Sequence, residues 1–366
     1  MSVDPRWMDH ALGLAARGLG RVWPNPSVGC VIERDGIVLG RARTADGGRP
    51  HAEIGALAQA GPLARGATAH VTLEPCAHVG ATPSCAERLA AAGVRRVVVA
   101  LRDPDPRTNG AGVAKLRAAG VEVVEGVRER EARALQAGFV SRVLLGRPLV
   151  TLKLAETLDG RIATAGGESR WITGPAARAH VHMERARHDA VMVGGGTARA
   201  DDPRLTVRGL GAAHAAGPQP VRIVLARRLA LAPRAALLGD GPPVWLVHGE
   251  DVPAERVAAV AARGATTIPC PPGADGRLDL DAAMGALGAR GLTRVYCEGG
   301  GTLAAALLRA GLVDRLDLYV AGAAIGAEGV PALGQMALAS LARAPRLRLA
   351  GMRPLGPDAL LRWEAA

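Results

Sequence analysis

The sequence predicts an α/β protein built as two domains, and three observations carry that reading. Strand-like apolar runs alternate with helix-like stretches along almost the whole chain, the pattern of sheets covered by helices. The alternation pauses at the turn-forming Gly146-Arg147-Pro148 and restarts with the apolar run Leu149–Ala155. A chain of 366 residues is long for one domain, and a 49% hydrophobic share is enough for two cores. The boundary falls at about residue 147, giving domains 1–146 and 147–366.

In the first domain an amphipathic stretch, Asp4–Arg17, precedes a strand at Val28–Glu33. Asp35-Gly36 is a hairpin turn, and Ile37–Arg43 supplies the returning strand. A helix is expected from His51 to about Gln59, followed by strand Ala69–Leu73, a helix around Ala86–Ala92 and strand Arg96–Ala100. Helix Val113–Ala119, strand Val121–Glu125 and helix Glu129–Arg142 close the domain. In the second domain, strand Leu149–Ala155 leads to helix Ala176–Arg187 and strands Ala190–Val193, Val221–Ala226 and Val244–His248. Strand Arg294–Cys297, helix Leu303–Ala310 and strand Leu316–Val320 come last. The Gly- and Ala-rich Leu210–Pro220 reads as an exposed loop, and no internal repeat is evident.

A net charge of +11 and a pI near 10.7 raise the question of nucleic-acid binding. The arginines are dispersed without a basic tail, and aromatic residues, the platforms for base stacking, are 2% of the chain. A positive field equally suits an anionic, phosphorylated small molecule, so nucleic acid is not the expected partner. No apolar run approaches the ~20 residues of a membrane span. The polar Met1–Asp9 lacks the basic-then-apolar layout of an export signal, and a cytoplasmic protein is expected. Five cysteines, an odd number, do not suggest a disulfide framework. Cys30, Cys270 and Cys297 lie in or beside apolar runs and read as packing.

The chemistry-bearing residues cluster early. Pro50-His51-Ala52-Glu53 stands at the start of a helix, and Glu74-Pro75-Cys76 follows a strand, with Cys85 nine positions further on. One His and two Cys with an open fourth position make a catalytic zinc site. Glu53, on the same helical turn as His51, is placed to move protons as general base and then acid. His-x-Glu with Pro-Cys-x-x-Cys marks zinc nucleobase deaminases. This chain matches both halves but puts eight residues, not two, between the cysteines. His78, inside that loop, is the rival ligand; Cys85 is favoured because it heads a helix, whose N-terminus stabilises a thiolate.

The run Val71–Cys85, with its expanded intercysteine loop, resembles the bifunctional deaminase–reductases of riboflavin biosynthesis. So do Pro24–Cys30, Asp103-Pro104-Asp105-Pro106, Lys153–Arg161, Gly167–Thr173 and Ala200–Arg208, so the likeness spans nearly the whole chain. The resemblance implies a cytidine-deaminase-like three-layer α/β/α domain followed by a dihydrofolate-reductase-like α/β domain. Residues 1–146 would then be a zinc-dependent deaminase and 147–366 an NADPH-dependent reductase. The implied substrate is 2,5-diamino-6-(5-phosphoribosylamino)pyrimidin-4-one, deaminated to the uracil and then reduced from ribosyl to ribityl. Residue by residue, it implies cofactor contacts at Ala155, Trp171, Thr197, Asp201, Gly300, Gly301 and Thr302. Substrate contacts are implied at Asn25, Ser169, Arg185, Leu205, Arg208 and Glu298. A homo-oligomer, dimer or tetramer, is also expected. The rival is a single-activity zinc deaminase of another base or nucleotide with an inactive reductase half; Val320–Gly326 is alanine-rich where relatives are expected to carry a polar pair such as Pro-Lys.

The residues of the second domain agree with this. Glu298-Gly299-Gly300-Gly301-Thr302 joins a strand to a helix, and backbone N–H groups at such a turn can cradle a phosphate. Gly194-Gly195-Gly196-Thr197 follows another strand and would let a cofactor approach the backbone. No Gly-x-Gly-x-x-Gly follows a strand early in the domain, so a Rossmann site is not supported. Arginine forks suit a sugar phosphate, although Arg185 by itself could be a solvated helix face. Lys153 and Lys115 are the only lysines among 45 basic residues, and Lys153, in a strand beside the proposed cofactor site, is expected to touch substrate or phosphate.

Overall fold

The computed structural model describes residues 4–78, 83–211, 217–232 and 234–366. Met1–Val3 of the polar N-terminus, Val79–Thr82 of the intercysteine run and residues 212–216 of the Leu210–Pro220 loop lie outside the described residues. The chain forms two compact units, Met1–Gly146 and Arg147–Ala366. Among the described residues no helix is long and apolar enough to cross a membrane.

The first unit runs α1 (Arg6–Ala16), β1 (Gly29–Arg34), β2 (Ile37–Arg43), α2 (Ala52–Ala60), β3 (Thr68–Val71), α3 (Cys85–Ala91), β4 (Arg96–Val99), α4 (Ala111–Ala118), β5 (Glu122–Glu125) and α5 (Glu129–Leu145). Its sheet has the order β2-β1-β3-β4-β5. The β1–β2 hairpin turns at Asp35-Gly36, both with positive φ, as its tight turn requires. β3, β4 and β5 are parallel, so their C-terminal ends share one edge. Val97, Val98 and Val99 are fully buried, as expected of a parallel strand covered on both faces. α1 packs with α5, while α2 packs with α3 and α3 with α4, the outer layers of an α/β/α sandwich.

The second unit runs β6 (Leu149–Thr157), β7 (Arg161–Ala163), α6 (Pro175–Ala186), β8 (Ala190–Gly194), α7 (Gly195–Asp201), β9 (Val221–Leu225), β10 (Val244–Gly249), α8 (Ala254–Ala261), β11 (Ala265–Cys270), α9 (Leu280–Ala289), β12 (Arg294–Cys297), α10 (Gly301–Arg309), β13 (Arg315–Ala321), β14 (Val330–Pro331), β15 (Leu347–Leu355) and β16 (Asp358–Ala365). Its main sheet is ordered β11-β10-β9-β8-β12-β6-β13-β16-β15. Strands β11 to β13 along that order are parallel, and β16 and β15 are antiparallel. Such a sheet offers a ligand crevice beyond the carboxyl ends of its parallel strands.

Helix α6 starts with Pro175 in its first turn, where the missing N–H costs nothing. Its sheet-facing side is polar but satisfied: His180 Nδ1 lies 2.7 Å from Tyr319 Oη, and Arg362 reaches both Glu184 (3.1 Å) and the buried Asp317 (2.6 Å). That clamp leaves Arg178, His182 and Arg185, at helical spacing, on the other face.

The differences from sequence expectation have local causes. Gly194–Thr197, expected to follow a strand and let a cofactor approach the backbone, caps and begins a short helix, α7, which the sequence did not suggest. α8, β11 and α9 go beyond the sequence expectation: α8 is only eight residues long, the Ala- and Gly-rich α9 carries little periodic contrast, and β11 is a Thr- and Pro-containing edge strand. The β15–β16 hairpin was also unread, because the side chains of β15 are exposed on both faces and give no alternation. In the alanine-rich segment after β13, the backbone N–H groups of Ile325 and Gly326 donate to the Asp159 carboxylate. Shape there is set by Asp159 and backbone, independently of the missing polar pair.

Candidate active sites

In the first unit His51 is the residue before α2, in extended conformation, and Glu53 lies in the first helical turn, 3% exposed. Cys76 follows β3. Cys85 is the first residue of α3, whose start is fixed by Ser84: its hydroxyl accepts the Glu87 N–H, and the Glu87 carboxylate accepts the Ser84 N–H at 2.9 Å. This capping box points the helix N-terminus at the cysteines, and the Cys85 N–H donates to Cys76 Sγ at 3.3 Å. His51 Nδ1 stands 3.3 Å from Cys85 Sγ and 3.8 Å from Cys76 Sγ. Zn–N and Zn–S bonds at a tetrahedral angle separate such donors by about 3.6 Å, so the three side chains fit zinc. His78 is exposed and stands outside the donor cluster.

The electrostatics agree with a metal-ready cluster. Hydrogen bonds from Cys85 and then from His51 hold the Cys76 thiol down to about 4 against the effect of burial. Cys85 is shifted upward, since it keeps the proton the two thiols share. Burial pushes the Glu53 carboxyl up to about 7, the range in which a carboxyl can both accept and donate a proton near neutral pH. Cys30, Cys270 and Cys297 are buried free thiols that do not belong to the donor cluster.

The site opens into a cavity of about 330 Å³ lined by Asn25, His51, Glu53 and Cys76, with Asp103, Thr108 and Arg142 among the other walls. Glu74, quoted in the motif but given no role from sequence, is what shapes this floor. Its buried carboxylate accepts the N–H groups of Asp103 (3.2 Å), Gly110 (2.9 Å), Gly112 (3.0 Å) and Val113 (3.1 Å), tying the 103–110 loop and the start of α4 beneath Cys76. Gly112 is required there: a Cβ would stand 2.0 Å from the Pro75 carbonyl oxygen.

In the second unit a cavity of about 1670 Å³ lies at the carboxyl ends of β6, β8, β9 and β12. Lys153 and Ala155 reach it from β6, and Glu298 from just beyond β12. Gly300, Gly301 and Thr302 line it at the uncapped N-terminus of α10. Gly301 has no room for a side chain, because a Cβ would meet the Ala332 carbonyl oxygen at 2.8 Å. Thr197 and Asp201 line it from α7, and the Thr197 hydroxyl accepts the Gly300 N–H at 2.9 Å, joining the two glycine segments. That bond takes one N–H from the expected cradle and leaves the N–H groups of Gly301 and Thr302 at the helix start. Ser169, Leu205 and Arg208 complete the wall, with Trp171 70% exposed and the Arg178 guanidinium 4.6 Å from its ring centroid.

Arg185 is not a solvated residue. It forms a two-pronged pair with Glu298, one arm at 2.9 Å, and also donates to Thr206 O at 2.8 Å. Burial opposes the Glu298 charge, but Arg185 outweighs it and keeps the carboxyl below its usual range. Burial lowers the Lys153 ammonium, with Arg185 adding to the effect and Glu298 resisting it. His182, unassigned from sequence, accepts the Arg208 N–H at 3.3 Å and lines the same cavity; its i, i+3 spacing to Arg185 was the available signal.

Two family models match the chain: residues 1–101 match the cytidine and deoxycytidylate deaminase zinc-binding region, and residues 148–361 match the RibD C-terminal domain. Together they define a zinc-binding deaminase region joined to a reductase. The chain belongs to the RibD family of bifunctional deaminase–reductases of riboflavin biosynthesis, which use zinc and NADPH. It is 40% identical to the riboflavin biosynthesis protein RibD of Escherichia coli, over 99% of this chain and 100% of that protein. A solved RibD from Acinetobacter baumannii, 39% identical, superposes with a TM-score of 0.89 over 99% of this chain and 98% of the other. The Thermotoga maritima diaminohydroxyphosphoribosylaminopyrimidine deaminase/5-amino-6-(5-phosphoribosylamino)uracil reductase, 31% identical, gives 0.84 over 99% and 98%.

Proposed function

We propose that unit Met1–Gly146 deaminates 2,5-diamino-6-(5-phosphoribosylamino)pyrimidin-4-one and that unit Arg147–Ala366 then reduces the ribosyl of the product to ribityl with NADPH. The observation that carries the first step is the His51–Cys76–Cys85 donor triangle with Glu53 buried beside it. Zinc held by the three would lower the pKa of a bound water from 15.7 to roughly 7. Glu53 carries one proton of the attacking water to the ring nitrogen and then the second, from the hydroxyl so formed, to the amine, which leaves as ammonia as the carbon–nitrogen bond breaks and the carbonyl forms. Asn25, on the cavity wall, is placed to hydrogen-bond the ring.

For the second step NADPH supplies the hydride. The α10 N-terminus, Ala155, Thr197, Asp201 and the open face of Trp171 are placed to hold it, backbone N–H groups meeting phosphate and the indole meeting a ring. Lys153 and Glu298, the latter paired with Arg185, line the cavity and would meet the sugar, while Ser169, Leu205 and Arg208 would take the rest of the substrate, Arg208 its phosphate. The five free cysteines support a reducing, cytoplasmic setting. The exposed edge strand β15, with Met352 72% exposed, supports a homo-oligomer, which sedimentation would test.

The test is to incubate the protein with the diaminopyrimidine phosphate, with and without NADPH. Ammonia release without NADPH, and NADPH oxidation only after deamination, is the expected result. Ammonia release with no subsequent NADPH oxidation would leave the single-activity reading standing instead.

A further inference from the structure

The deaminase cavity carries positive charge that the proton transfers do not use. Helix α5 forms one of its walls. Gln136 Nε2 donates to the Ser27 carbonyl at 2.7 Å, fixing the helix against the segment that carries Asn25. Phe139 and Arg142, three residues apart and so on neighbouring positions of one helix face, both line the cavity. Arg142 Nε is buried and has no hydrogen-bond partner among the described residues. Arg142 therefore lines the cavity with its charge unmatched by any acceptor of the described residues.

The nearby carboxylates are already engaged. Glu74 accepts four backbone N–H groups. Asp105 is paired with Arg107, which neutralises that arginine, and Asp103 accepts the Asp105 N–H at 2.9 Å. Glu53 serves the chemistry. Arg142 and the solvent-exposed Arg49 remain on the cavity lining with no ion pair among the described residues.

We infer that Arg142 is a specificity-determining residue of the deaminase, its guanidinium meeting the phosphate of the pyrimidine substrate from the cavity wall while Arg49 adds to the local field. A guanidinium presents parallel donors that match two phosphate oxygens, a geometry an ammonium lacks. Placing the phosphate on α5 would hold the far end of the substrate and fix the ring's distance from Glu53. The inference rests on reading this cavity as a deaminase site for a phosphorylated pyrimidine.

The experiment compares two substrates, the phosphorylated diaminopyrimidine riboside and its dephosphorylated nucleoside, by ammonia release without NADPH. Inorganic phosphate is added as a competing probe. The wild type is expected to prefer the phosphorylated substrate by about 10- to 100-fold in kcat/KM, the value of a charge-assisted contact. Arg142→Ala and the better-packed Arg142→Gln should lose most of that preference and most of the inhibition by inorganic phosphate. Arg142→Lys should regain part of both. Zinc content of each variant reports that the unit is folded, and Arg142→Gln stands in if Arg142→Ala loses its metal. A preference that survives in folded Arg142→Gln overturns the assignment, as does an equal loss on both substrates, which is what a purely structural arginine at a helix C-terminus would produce. A wild type that releases no ammonia from either compound overturns the deaminase reading itself, an outcome distinct from a preference that persists.

Discussion

The two sites are encoded in different ways. The metal cluster of the first unit comes from two short stretches, residues 51–53 and 74–85, each at a helix N-terminus, where local rules place the side chains. The cavity of the second unit gathers residues from Lys153 to Thr302, set on one edge by the order of a nine-stranded sheet. A site of the first kind is held by caps and backbone N–H groups. The second kind is held by side chains that pair across the fold, such as Arg185 with Glu298. The first should therefore fail chemically before it fails structurally, and the second should do both at once.

The largest expected effect tests that directly. Cys85→Ser removes a zinc donor, and stoichiometric zinc measured by elemental analysis should be lost. Ammonia release should fall by at least about 10⁴-fold, while NADPH oxidation on supplied uracil product continues. Stoichiometric zinc in the variant would move the third ligand elsewhere, His78 being the alternative. Glu53→Gln should keep the zinc and lower the deamination rate by about 10²–10⁴-fold, the usual contribution of a positioned proton carrier. A smaller loss would mean that another group moves the proton.

Arg185→Ala carries the comparison to the second unit. It leaves Glu298 buried without its partner, so a loss of about 3–5 kcal/mol in denaturant unfolding is expected together with loss of reductase activity. A variant that loses activity at unchanged stability would show that the pair acts only on substrate. Arg208→Ala is milder, because its guanidinium is not clamped by a carboxylate. The reductase KM should rise about 10-fold with deamination intact, and an unchanged KM would remove Arg208 from the substrate wall.

The same contrast explains what the sequence made legible. His51, Glu53, Cys76 and Cys85 could be read from residue type and spacing, because one helical turn and one strand-to-helix step bring them together. The eight-residue spacer looked irregular only against the short-loop signature. Arg185 read by itself as a solvated helix face, since nothing local says that β12 delivers Glu298 to meet it. Its assignment, like those of Ser169, Leu205 and Asp201, came through family resemblance. Glu74 was hidden for the opposite reason: its partners are backbone N–H groups, which leave no trace in residue type. The β15–β16 hairpin escaped because an edge strand exposed on both faces has no apolar period.

The smallest predicted effect separates the units by pH. His188 lies between α6 and β8, with Nδ1 2.7 Å from the Glu184 carbonyl and Nε2 2.9 Å from Thr151 Oγ1. Burial drives its pKa from 6.5 down to about 3, so the folded unit keeps it neutral where the unfolded chain would protonate it. Its folded value is depressed, so the stability tied to it is complete above pH 6.5 and is lost progressively as pH falls toward 3. Between pH 7 and pH 5.5 this one group should cost the second unit about 1 kcal/mol. His188→Asn should start less stable, because a buried contact is lost, yet show a flatter decline over that interval in denaturant midpoints followed at several pH values. An equally steep decline in the variant would assign the acid sensitivity to another buried base, with His180 next to be tested because burial lowers its pKa as well.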